Sequence, residues 1–214
     1  INVKNGNVTG IETTKGTINS NKIGIAAAGH SSVIANMVGI KLPLESKPLQ
    51  ALVSEPVKPI IDTVVMSNTI HAYVSQSDKG ELVIGGAPDP GQSFRRDVKQ
   101  SVFEDAVVTM LELFPAFRRL KLLRQWGGVL DIAHDATPII SATDIPGLFV
   151  SCGWWGGFKA VPAGGYSLAH LIATGQPHNV AAPFTLDRFH HLDFIVESVS
   201  YTHLRAHETL RYLV

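Results

Sequence analysis

The sequence predicts a mixed α/β protein with two lobes, and three observations predict it. The chain opens with short alternating runs set apart by Asn5-Gly6 and Lys15-Gly16. From Leu44 it turns into a hairpin-rich stretch followed by one amphipathic helix. It then returns to a short apolar strand, a glycine-rich corner and a helix between Leu148 and Gly175. Strands, then an inserted sheet and helix, then a closing strand and helix, give an α/β order with two lobes rather than a sandwich or a solenoid. The expected divisions are 1–43 and 126–195 for one lobe, 44–125 for the other, and 196–214 for a tail.

Each element has its own signal. Ile1 to Ile18 reads as a β-meander, because Asn-Gly and Lys-Gly pairs separate runs such as Val8 to Thr13. Lys22 to Gly29 reads as a buried strand of small residues ending at a glycine turn. Gln50 to Ser54, Thr69 to Gln76 and Glu81 to Ile84 read as strands, the last two joined by a Ser77-Asp78-Lys79-Gly80 turn. On the middle strand His71, Tyr73 and Ser75 are expected on one face, with Ala72 and Val74 on the other. Asp97 to Phe114 carries apolar residues at Val98, Val102, Ala106, Met110 and Phe114, the spacing of a helix with one buried face, and Pro115 ends it.

The segment from Arg124 to Lys159 is the most informative. It reads as an irregular strand through Trp126-Gly127-Gly128, a turn marked by Pro138, and an apolar strand from Gly147 to Cys152. Beyond it lies the corner Gly153-Trp154-Trp155-Gly156-Gly157. Such a corner lets the backbone come close to a flat ligand. Pro162 and Gly175 bracket a helix over Ala163 to Ala173, so the corner sits at a helix N-terminus, where free N–H groups suit negative charge. Lys159 adds a full positive charge there.

Composition excludes several classes. Eighteen basic and eighteen acidic residues cancel, which gives no electrostatic basis for nucleic acid or an anionic membrane, and no apolar run is long enough to span a bilayer. Cys152 is the only cysteine, so a disulfide framework is excluded; a reducing cytoplasm is expected, with the thiol buried as a small hydrophobe. Ile1 follows no leader-like pattern and enters directly into strand alternation, so the chain is expected to be a fragment of a longer protein.

The nine histidines do not form a metal-ligating pattern. His30, His71, His134, His170 and His178 fall in separate elements, and His203 and His207 lack the metalloprotease glutamate between them. Gly24 to Ser31 comes within a residue of a phosphate-binding loop, but His30 replaces the lysine and the apolar strand occupies the loop positions. Neither a nucleophile elbow nor a G-x-G-x-x-G occurs in the sequence.

Several runs together resemble one family. They are Ala28-Gly29, Leu42-Pro43-Leu44-Glu45-Ser46, Gln50 through Pro56, Ile61 through Ser67, Val74 through Gly80, and Arg124-Gln125-Trp126-Gly127-Gly128. They resemble the D-amino-acid-oxidase-like flavoproteins, and within them the β subunits of heterotetrameric sarcosine oxidases, over roughly residues 1–195. The resemblance implies the C-terminal part of a protein with a Rossmann-like FAD lobe, here incomplete, and an antiparallel substrate lobe. It implies oxidative demethylation of sarcosine to glycine, with hydride passing to FAD, electrons moving on to FMN, and oxygen reduced to hydrogen peroxide. A related dimethylglycine- or glycine-oxidising enzyme, or a non-catalytic binding module, are the alternatives.

The same resemblance implies site residues and partners. Ala28 and Gly29 correspond to the strand end beside FAD, and Gly156 and Gly157 to the glycines near its ring system. Lys159 corresponds to a lysine that contacts the second flavin, and Trp126 and Gly127 to a strand beside the substrate cavity. The FMN is expected on a histidine upstream of this segment, so none of the nine histidines inherits that role. Partners implied are the other sarcosine oxidase subunits and tetrahydrofolate as one-carbon acceptor. The chain departs from the family at Gly153-Trp154-Trp155-Gly156, which is one residue shorter, in a shortened Gly86 to Phe94 loop, and after Ile195, where the sequence is expected to be unrelated.

Overall fold

A computed structural model describes residues 1–67, 69–97, 99–157 and 160–195. The chain divides into two compact units, one combining Ile1–Ser46 with the chain from Leu130 onward, the other formed by Lys47–Val129. The expected tail beyond Ile195, His203, His207, Val98, Phe158 and Lys159 lie outside the described residues.

The first unit opens with the expected meander. Strands β1 (Asn2–Lys4), β2 (Asn7–Thr13) and β3 (Gly16–Asn19) form an antiparallel sheet. Asn5 and Gly6 both take positive φ, 51° and 77°, the conformation that an Asn-Gly pair tolerates in a tight hairpin.

The strand expected over Lys22 to Gly29 is shorter: β4 covers only Ile23–Ile25. The chain leaves the sheet at the run of alanines, Ala28 takes a positive φ of 45°, and a 3-10 turn over Ala28–His30 leads into α1 (Ser31–Asn36). The run does not pack as one strand: Ile25 enters the core, Ala27 packs against it, and Gly24 meets a later helix. A Cβ there would stand 3.0 Å from Ile172 Cδ1 and 3.7 Å from Leu168 Cδ2, so a later helix lies directly on the backbone.

The unit's second sheet is assembled from distant sequence. It contains β4, β10 (Ile139–Ala142) and β11 (Leu148–Cys152), with β11 central, antiparallel to β10 and parallel to β4. The chain enters it through β9 (Leu122–Ala133). Strand β10 fills the stretch that the sequence had assigned to a proline-marked turn; the turn itself is confined to the residues before Ile139. Leu148, Val150 and Cys152 point into a core with Val8, Ile25, Ala35 and Leu42, while Phe149 joins Ile140 and Leu171 on the opposite face. Burial on both faces explains why β11 reads as a continuous apolar run. Helix α3 (Val161–Thr174) covers the second face and ends at Gly175, whose φ of 75° is the left-handed cap expected of glycine.

The second unit is an antiparallel sheet backed by a helix. Strands β5 (Leu44–Pro56), β6 (Val65–Ser67), β7 (Ala72–Gln76) and β8 (Glu81–Gly85), with β9, lie in the order β6-β7-β8-β5-β9. Helix α2 is Gln100–Leu113, and its Ala106 and Met110 pack with Leu52, Val74, Leu82 and Ile84. Ala72 and Val74 share the buried side as expected. His71 does not belong to β7, however: it stands exposed in the preceding turn with φ of 50°. The Gln76 side chain fixes the loop before β6, accepting from the Ile60 and Ile61 N–H groups at 2.8 and 3.1 Å and donating to three carbonyls.

Candidate functional site

The corner begins where β11 runs out. Cys152 ends the strand fully buried, and burial, reinforced by the nearby Asp131 charge, pushes its thiol well above the ordinary thiol range. An unreactive core cysteine follows, as the sequence indicated. Gly153 then turns the chain with φ of 76°; a Cβ there would lie 2.9 Å from that of Ala133. Its N–H donates to the carboxylate of Asp131, which is 2% exposed.

Trp154 organises the next residues. Its indole N–H donates to Ser151 Oγ at 3.0 Å, and its ring lies over two glycines. A Cβ at Gly157 would fall 2.7 Å from Trp154 Cβ, and one at Gly164 on α3 would fall 2.5 Å from the far ring atoms. Gly157 is therefore a glycine because Trp154 takes its side-chain space. Gly156 differs: it is exposed, and none of the described residues lies within 4 Å of where its Cβ would be. Its backbone faces open space, which suits close approach of a flat group. Carbonyl contacts Trp155 N–H to Gly153 O and Ala160 N–H to Gly157 O carry the turn into α3.

Ala28 and Gly29 lie just past β4, and the corner just past β11. Since β4 and β11 are adjacent and parallel, these two groups follow the carboxyl ends of neighbouring strands, where open α/β sheets bind ligands. Gly29 is buried and its carbonyl accepts from Ser46 Oγ at 2.7 Å. Trp126 and Gly127 stand on β9 within the Lys47–Val129 unit. Trp126 is 47% exposed, and Gly127 packs so closely on Arg96 that a Cβ would come within 2.7 Å of its carbonyl oxygen.

Other groups take up contacts that the sequence did not assign to them. Tyr73 spreads across Gly85, where a Cβ would overlap its ring, and burial raises its phenol above the ordinary value. Asp131 and Ala133 share the buried side of β9, and the alternation of a carboxylate with a small residue was the available signal. His170 and His178, read as separate, come together edge to face with ring centroids 5.2 Å apart, each also against Tyr166. The cause is the turn after Gly175, which folds the chain back beside α3. Among the described residues no three His, Cys, Asp or Glu side chains converge as a metal site would require, and no helix is long and apolar enough to cross a membrane.

The family model for FAD-dependent oxidoreductases of the DAO type matches residues 1–171. The chain belongs to that family. It is 49% identical over 201 residues to the sarcosine oxidase subunit beta of Rhodobacter capsulatus, covering 94% of this chain and 48% of that protein. Against the sarcosine oxidase subunit beta of an Arthrobacter species it is 51% identical over 183 residues, covering 85% of this chain and 45% of that one. Among solved structures, L-proline dehydrogenase from P. horikoshii superposes with a TM-score of 0.80 at 26% identity, covering 88% of this chain and 52% of that one. The chain thus spans about half the length of the curated relatives it matches. The resemblance read from the sequence holds, and so does the α/β fold class.

The residues present fit FAD at one end. Open backbone at Gly156 and the start of α3 suit the ring system, whereas the sequence holds no glycine fingerprint for the pyrophosphate.

Proposed function

We propose that the complete protein is a sarcosine-oxidising flavoenzyme subunit and that this chain supplies the ring end of its FAD site together with part of its substrate lobe. The observation that carries the proposal is identity near one half, 49% and 51%, to two sarcosine oxidase β subunits, extending over 94% and 85% of this chain.

FAD supplies the hydride acceptor for oxidation of the N-methyl carbon. The chain's own residues position and polarise. Gly156 gives a flat ring access to the backbone, and Trp154, held by Ser151 and seated on Gly164, fixes where that backbone runs. The first turn of α3 contributes partial positive charge, and Lys159 adds a full charge that favours an electron-rich ring or a substrate carboxylate. Ala28 and Gly29 flank the ring from the end of β4. Trp126 and Gly127 border the substrate, with Tyr73 on the same unit's sheet.

The finer parts of the proposal follow the family likeness. An FMN held by a histidine outside this segment would supply the route for electrons to oxygen, with hydrogen peroxide as product, and tetrahydrofolate would be the one-carbon acceptor. The subunit works with other sarcosine oxidase subunits in a heterotetramer in the cytoplasm, consistent with one buried cysteine.

The test is the visible spectrum of the complete gene product, co-expressed with its partner subunits, before and after anaerobic sarcosine. Flavin bands that bleach support the proposal; a colourless protein, or bands indifferent to sarcosine, refute it.

A further inference from the structure

We propose that Asp131 is a positioning residue whose carboxylate holds the glycine-rich corner in the shape that receives the flavin ring. This deepens the flavoenzyme reading and rests on it. Three observations carry it.

Asp131 sits on β9 at 2% exposure, a place where an apolar side chain would pack without the cost of burying charge. The hydrogen bond it accepts there comes from the N–H of Gly153, itself buried and the first residue of the corner. Gly153 has left-handed φ, and its Cα faces Ala133 and Leu44, with a would-be Cβ 2.9 and 3.3 Å from them. Two residues apart on one side of β9, Asp131 thus supplies the acceptor and Ala133 the space that this turn needs. Next to Gly153, Trp154 is held by Ser151 and packs on Gly157 and Gly164, so Gly156 lies in the short span between Trp154 and Gly157, clear of the described residues. Loss of the Asp131 acceptor frees the direction in which the chain leaves β11, and with it the backbone at Gly156.

Two variants of the complete protein separate the acceptor from the charge. Asp131→Asn keeps an oxygen for the Gly153 N–H and removes the charge; Asp131→Ala removes both. Two readouts are followed: hydrogen exchange of the peptide spanning the corner in flavin-free protein, and the dissociation constant and absorption band of added FAD.

The expected result is exchange and FAD dissociation constant each raised about tenfold in D131A, the scale of one lost hydrogen bond to a charged acceptor, with D131N within about threefold of the parent. Unchanged exchange in D131A, or faster exchange with unchanged FAD binding, overturns the positioning role. D131N as impaired as D131A also overturns it, since the charge and not the acceptor would then matter. If D131A fails to fold, D131N decides alone: a retained band and slow exchange support the role, their loss overturns it. A parent protein that binds no FAD refutes the flavoenzyme reading instead, and the positioning role falls with it even where the exchange result stands.

Discussion

Two adjacent glycines in α3 predict opposite outcomes for the same substitution. Glycine inside a helix costs about 1 kcal/mol relative to alanine, so Gly164→Ala and Gly165→Ala gain the same propensity term. At Gly165 none of the described residues lies within 4 Å of the new methyl group, and the gain stands. At Gly164 the methyl group would lie 2.5 Å from both Cη2 and Cζ2 of Trp154. An ordinary contact needs roughly 1 Å more, and such overpacking of a well-filled site costs about 1–3 kcal/mol. Because the propensity term cancels between the two, G164A should be less stable than G165A by about 1–3 kcal/mol. Urea unfolding of the complete protein measures the difference, and indole fluorescence reports whether Trp154 has moved. Equal stability of the two variants, within about 0.5 kcal/mol, would refute the seating of Trp154 on Gly164.

Other perturbations test separate contacts. Burial alone would raise the Asp135 carboxyl, but the hydrogen bonds and charge of Arg188, with the N–H groups of Ile195 and Thr137, outweigh it and hold the group below the usual carboxylate range. The stability it contributes is therefore present above its unfolded pKa of about 4 and lost as pH falls through the lower folded value, which acid titration of unfolding will show. Arg188→Met alone, leaving a carboxylate 3% exposed without its cation, should cost about 3–5 kcal/mol. Gln50 is 5% exposed and neither of its amide atoms has a hydrogen-bond partner among the described residues, so Gln50→Leu should stabilise by about 1 kcal/mol or more in thermal unfolding. A clear loss would mean that the amide has a partner in the complete protein. On the proposed function, Lys159→Met in the complete protein should lower sarcosine turnover about tenfold or more, and unchanged kinetics would refute the role proposed for Lys159.

The legible part of this fold was carried by local chemistry. Asn5-Gly6 can hardly be other than a hairpin turn, and Pro162 and Gly175 mark the ends of α3 because ring closure and left-handed φ suit those positions. Alternation placed Ala72 and Val74 in the core. It failed at His71, one residue too early, since periodicity alone does not say where a turn releases the chain. β4 is shorter than its composition suggests for a related reason: a run of small residues is compatible with both a strand and a 3-10 turn, and pairing with β11 holds only Ile23–Ile25 in the sheet before Ala28 turns away.

For the candidate site, the sequence by itself determined which glycines and which lysine cluster near a helix start, and the family likeness that gives them meaning. Only the tertiary structure separated those glycines by role. Gly157 and Gly164 make room for an indole, Gly153 turns against Ala133, and Gly156 is left open. It likewise joined Asp131 to Gly153, across 22 positions in the chain, and placed β4 beside β11. Short-range conformational preference is written residue by residue, whereas which surface a glycine must clear depends on what long-range packing brings against it.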